Sequence, residues 1–161
     1  MDWGKEVHDR ISEHFTLACG ESCSITNQQI GKFLKTGGSN LRPDLVDICD
    51  RYVYEIKTVL EFISGIAQVE GYVETMNELD PSAKINPWRV GGPYVPPSVV
   101  PLRDGSFAIV SPPDYGVVTY QVIDMRAIML AAAGAIAVEQ YSNLVAGMSG
   151  ALSMASLGVV F

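Results

Sequence analysis

The chain has 161 residues, of which 48% are apolar, and a formal net charge of -7. That length closes one hydrophobic core and leaves too little chain for two full-sized domains. The acidic balance excludes a protein that coats nucleic acid by bulk electrostatics, because such binding needs lysine and arginine to displace condensed counterions.

In chain order, Trp3 to Ala18 reads as an amphipathic helix. Gly4, Val7, His8, Ile11, Phe15 and Ala18 form one stripe, with Glu6, Asp9 and Glu13 largely off it. The run from Cys19 to Asn40 is rich in Gly, Ser, Thr, Asn and Gln and reads as a surface excursion, with a short helix near Gln28 to Leu34 and a break at Gly37-Gly38. Its Lys32 and Lys35, with Arg42 just beyond, leave room for a local basic rim. Cys19, Cys23 and Cys49 are an odd number in a chain whose charged start does not read as a signal peptide, so free thiols are expected rather than a disulfide. Cys19 and Cys23 lack the second pair or histidine that would complete a zinc site.

Leu41 to Cys49 and Tyr52 to Lys57 read as strands joined by the two-residue turn Asp50-Arg51. In that register Val46 faces Glu55 and Asp44 faces Lys57. Side chains alternate along a strand, so Asp44, Glu55 and Lys57 emerge on one face with the carboxylates as diagonal neighbours. Ser64 is the expected cap of a helix running to Leu79, ended by Asp80-Pro81, with Gln68 and Tyr72 on one face at i and i+4. The proline-rich stretch from Trp88 to Pro101 reads as a meandering edge or loop, and Phe107 to Val110 and Val117 to Ile123 as strands. From Ala127 to Phe161 the sole charged side chain is Glu139. This tail is expected to form a pair of helices buried on the sheet or on a partner, with contact to a membrane as the alternative.

Two carboxylates and a lysine on one face suit phosphodiester hydrolysis. That reaction requires a cation on the phosphoryl oxygens and positive charge near the developing transition state. Hard oxygen ligands select magnesium or manganese, with Asp44 and Glu55 as ligands and the Ile56 carbonyl as a third. Lys57 would orient or deprotonate the water, or stabilise the pentacovalent charge. Taken singly, each residue has a bland reading: Asp44 as a turn carboxylate, Glu55 and Lys57 as a solvated strand face, Gln68 and Tyr72 as helix packing. The ordered set points to catalysis.

Pro43-Asp44, Glu55-Ile56-Lys57 and Gln68-x-x-x-Tyr72 resemble, in order and spacing, the three central motifs of the PD-(D/E)XK nuclease superfamily in its RecB-like branch. Gly4-x-x-x-His8 is similar to that branch's first-helix motif. The resemblance covers about residues 4 to 72. It implies a magnesium-dependent nuclease, with DNA favoured over RNA, whose active site lies at the splayed edge of the sheet. It further implies His8 as a metal ligand beside Asp44 and Glu55, ahead of His14, Glu6 and Glu13 for that role, and Gln68 and Tyr72, with Arg42, at the substrate. The compact size and the Trp-Pro-Gly-rich segment look like bacterial polymorphic-toxin nuclease domains, which implies an effector held by an immunity protein. Such a chain is either cytoplasmic or delivered without a signal peptide into a target cell. The competing expectation is an inactive nuclease-like scaffold whose tail docks a partner or membrane. The fold class expected is α/β (α+β), a central mixed sheet flanked by helices with a restriction-endonuclease-like core over residues 1-124 and an apolar helical segment over 125-161.

Overall fold

The computed structural model describes residues 2–156, with backbone alone for residues 141 and 143–156. Two compact units result, Met1–Ile123 and Asp124–Phe161. The first is a mixed α+β unit with a curled mixed sheet flanked by helices.

Helix α1, Trp3–Cys19, begins at Asp2, whose carboxylate accepts a hydrogen bond from Lys5 N. Of its expected stripe, Val7, Ile11 and Phe15 are fully buried, whereas Ala18 at its end is exposed. Strand β1 (Ser24–Thr26) and helix α2 (Ile30–Phe33) follow, then β2 (Leu45–Asp47) and β3 (Tyr52–Thr58). A 3-10 turn over Val59–Glu61 leads into α3, Phe62–Leu79, and a second over Pro81–Lys84 follows it. The remaining strands are β4 (Arg89–Val90), β5 (Val99–Pro101), β6 (Phe107–Val110) and β7 (Val117–Ile123). The sheet order is β1-β2-β3-β7-β6-β5, and β4 pairs with the start of β3.

β3 is the centre of the sheet, and its side chains sort the core into two clusters. Tyr54 and Ile56 pack with α1's Val7, Ile11 and Phe15. Val53 packs on the opposite face with Val46, Ile30, Tyr72 and Met76, so α2 and α3 cover that side. Tyr54 is held in an aromatic group with Phe15 and Tyr94. Gly91 is required beside it, since a Cβ there would come within 2.1 Å of the Tyr54 ring.

Three local expectations change. The hairpin loop holds four residues, Ile48 to Arg51, because β2 ends at Asp47 and Arg51 turns the chain at φ 60°. Leu45 therefore faces Tyr54, a shift of two residues from the expected register, and the same ladder extended one step sets Asp44 opposite Glu55. An even shift leaves the facing of every side chain unchanged. Second, α3 starts at Phe62, and Ser64 lies inside it with its hydroxyl donating to Glu61 O rather than capping it. Third, Cys23 and Cys49 form a disulfide with Cα atoms 5.2 Å apart. Antiparallel pairing of Ser24 with Asp47, continued by the Ile48 N to Cys23 O hydrogen bond, brings the two cysteines together. Cys19 stays a free thiol, pushed up to about 11 by burial and by Asp47.

The second unit contains one helix, α4 (Met125–Ser156), in place of the expected pair. Its first described side chains, Arg126 to Gln140, are all exposed. Among the described residues, the members of both core clusters belong to the first unit. Among the described side chains of α4, the apolar residues fall on every side of the helix and form no stripe that would direct one face to a core. Among the described residues no helix is long and apolar enough to cross a membrane. Residues 157–161 of the expected tail lie outside the described residues.

Candidate active site

Along β3 the sheet changes partners. β2 accompanies it only as far as Tyr54, on one edge, while β7 joins the other edge from Glu55 onward. The second half of β3 is therefore open along the edge that β2 has left. Ile56 N points into this opening, and Asp44 Oδ2 accepts its hydrogen bond at 2.8 Å. The carboxylate thus replaces a missing strand carbonyl, which fixes its position.

Asp44 N in turn points at Glu55 Oε2, at 3.4 Å. The other Glu55 oxygen, Oε1, pairs with Lys57 Nζ at 3.0 Å. Asp44 Oδ1 lies 3.5 Å from Nδ1 of His8, on the first half of α1. Asp44, Glu55, Lys57 and His8, expected from three separate segments, are brought together. Glu55 is only 4% exposed. Burial, then the Asp44 charge, raises its carboxyl to about 7, against the lowering effect of the Lys57 hydrogen bond and charge.

Tyr72 reaches the same place from α3. It is buried with Val46 and Val53, and its phenol is raised by burial and by the charges of Glu55 and Asp44. Gln68, one turn earlier, is exposed and makes no side-chain hydrogen bond among the described residues. Arg42 is also exposed, two residues before Asp44. His14 belongs elsewhere: its Nδ1 lies 3.1 Å from the Tyr94 hydroxyl. Glu6 pairs with Arg103 and Glu13 with Arg10.

Two glycines and a tyrosine complete the surroundings; Gly4 was expected from the first-helix motif, whereas Gly65 and Tyr120 escaped the sequence as parts of the site. A Cβ on Gly65 would sit 2.9 Å from Val117 and 3.0 Å from the Lys57 stem, so glycine lets α3 close over that lysine. An isolated glycine inside a helical pattern was the available signal. Gly4 similarly faces the Tyr120 hydroxyl, 3.3 Å from an added Cβ, and Tyr120 meets His8 edge-on with ring centroids 6.0 Å apart.

His8 and Asp44 also border a groove of about 1060 Å³ that runs along α1 past Thr26 and Asn27 to Arg103. Its cations are matched by acids: Lys5 pairs with Asp9, Arg10 with Glu13 and Arg103 with Glu6. Among the described residues no group of three or more His, Cys, Asp or Glu side chains is arranged to enclose a metal ion. Asp44 and Glu55 fit the sparser pattern of a magnesium site, which uses one or two carboxylates and leaves the other positions to water and substrate phosphate. The chemistry available is that of a carboxylate pair, one buried and one half-buried, beside a lysine on an open strand edge. Comparison of the chain with protein-family models, with curated proteins and with solved structures finds no match.

Proposed function

We propose that the protein is a magnesium-dependent nuclease that hydrolyses phosphodiester bonds, with DNA as substrate. The observation that carries this reading is the convergence of Asp44, Glu55 and Lys57 on the open half of β3. A magnesium ion, or manganese in its place, held by Asp44 and Glu55 would neutralise the phosphoryl oxygens. Lys57 presents a cation beside the same carboxylates, where negative charge develops in the transition state. His8 holds Asp44 from the α1 side, and the buried Tyr72 walls the carboxylates from α3. Among the three residues expected at the metal, His8 acts through Asp44 in this arrangement.

The same reading extends to an effector nuclease delivered into a target cell and restrained by an immunity protein. The Cys23–Cys49 bond supports export over cytoplasmic residence, because disulfides persist in oxidising compartments. A second reading, an inactive scaffold that docks a partner or membrane through residues 127-161, is favoured by the exposure of α4 alone. Incubating the purified protein with supercoiled plasmid, linear DNA and RNA, each with magnesium, manganese or EDTA, separates the two. Metal-dependent nicking that disappears in Glu55→Gln is expected for the nuclease. Intact substrates under every condition would retire it and leave the docking scaffold.

A further inference from the structure

The excursion between β1 and Asp44 differs in charge from the rest of the molecule. From Ser24 to Pro43 there is no acidic residue, and Lys32, Lys35 and Arg42 fall within it, in a chain of net charge -7. All three are exposed, and none forms an ion pair among the described residues. The cations of the α1 groove are, in contrast, each matched by a carboxylate.

The excursion is also built, not loose. Ile30 N donates to Leu41 O at 2.9 Å, Gly31 N to Ser39 O at 3.2 Å and Gly37 N to Gly31 O at 3.2 Å. An added Cβ on Gly31 would meet Ser39 O at 2.9 Å, so the two limbs close only with glycine there. Ile30 is fully buried with Val46, Val53 and Tyr72, which anchors α2 on the sheet face that carries Glu55 and Lys57. Arg42 leads directly through the buried Pro43 into Asp44.

We infer that the surface of Lys32, Lys35 and Arg42 holds the sugar-phosphate backbone of the nucleic-acid substrate and feeds it to Asp44, while the α1 groove does not. Unpaired cations release condensed counterions when they meet phosphates, whereas cations already matched by acids gain little. Both the substrate class and the route of approach follow from this contrast. The inference rests on the nuclease reading for its purpose but on binding for its test.

The test is fluorescence anisotropy of a labelled DNA oligonucleotide with the full chain in EDTA, across a series of potassium chloride concentrations. Replacing Lys32, Lys35 and Arg42 together by alanine is expected to flatten the slope of log K against log salt by about 2 to 3, as for three lost phosphate contacts. Lys32→Gln with Lys35→Gln removes the charge while keeping a long polar side chain and should flatten it by about 1 to 2. Alanine at Lys5, Arg10 and Arg103 should leave the slope unchanged. An unaltered slope in the excursion variants, an equal loss in the groove variant, or no binding by the wild type at low salt overturns the inference. Salt-dependent binding through the excursion without any cleavage of plasmid in magnesium would retire the nuclease reading and leave this contact surface standing. Cleavage with an unaltered slope would do the reverse.

Discussion

Tyr52 to Tyr54 and Glu55 to Thr58 are consecutive parts of one strand with different surroundings. The first part is flanked by β2 on one edge and β4 on the other, and Val53 and Tyr54 send their side chains into opposite cores. The second part keeps β7 on one edge, but a side-chain carboxylate stands where β2 would be. Apolar burial fixes the first part; in the second, buried Glu55 depends on Asp44 and Lys57. A strand anchored at one end thus holds polar groups at the other that would not hold themselves in place.

The sharpest way to break this division is at the open half. Glu55→Gln or Lys57→Ala should lower plasmid cleavage by at least about a hundredfold, while circular dichroism and the melting transition remain those of a folded protein. Equal rates for wild type and either folded variant would reject the assignment.

A smaller effect lies in stability against pH. In metal-free protein the native carboxyl of Glu55, raised to about 7, keeps a proton that the unfolded chain loses near 4.5. The native state thus binds more protons across this window, and stability falls as pH rises from 4.5 to 7, by an amount on the order of 3 kcal/mol. Urea unfolding should find this slope in the wild type and a flatter one in Glu55→Gln. A wild type whose stability rises through the window would contradict the assigned burial.

At the anchored half the expectation reverses. Val53→Ala should cost about 2 kcal/mol of stability and leave the cleavage rate per folded molecule unchanged, as read by urea unfolding and by single-turnover kinetics. A rate loss in folded Val53→Ala would mean that the two halves are not separable.

The smallest effect is expected outside the strand altogether. Truncation after Asp124 removes α4, whose described side chains are exposed, and should change the denaturant midpoint by less than about 0.5 kcal/mol equivalent. Loss of cooperative unfolding would place the tail in the core.

The placement of Asp44, Glu55 and Lys57 on one face was legible because it depends on parity alone. A turn of four residues preserves the facing that a turn of two would give, although the paired register ends at Leu45 and Tyr54, one residue short of Asp44. The α1 stripe was legible for a related reason, since Val7, Ile11 and Phe15 repeat at helical spacing. β1, β4 and β5 are two or three residues each and are defined by partners far along the chain, so local pattern carries little trace of them. The disulfide was hidden by the same non-local pairing: an odd cysteine count argued against any bond, whereas one bond and one thiol satisfy three residues. The i, i+4 relation of Gln68 and Tyr72 was correct as geometry but did not foretell that one would be exposed and the other buried.

Three sulfurs on neighbouring segments raise a question of shuffling. Cys19 lines the same cleft as Cys23 and Cys49, so a Cys19 thiolate would be an internal attacker able to exchange partners with the native bond. Thiol–disulfide exchange proceeds through the thiolate, and burial with the Asp47 charge pushes the Cys19 thiol up to about 11. At pH 8 that leaves about one Cys19 in a thousand ionised. Burial first, and the Asp47 carboxylate second, therefore act as a lock on covalent connectivity: together they keep the spare sulfur protonated and the correct pair intact.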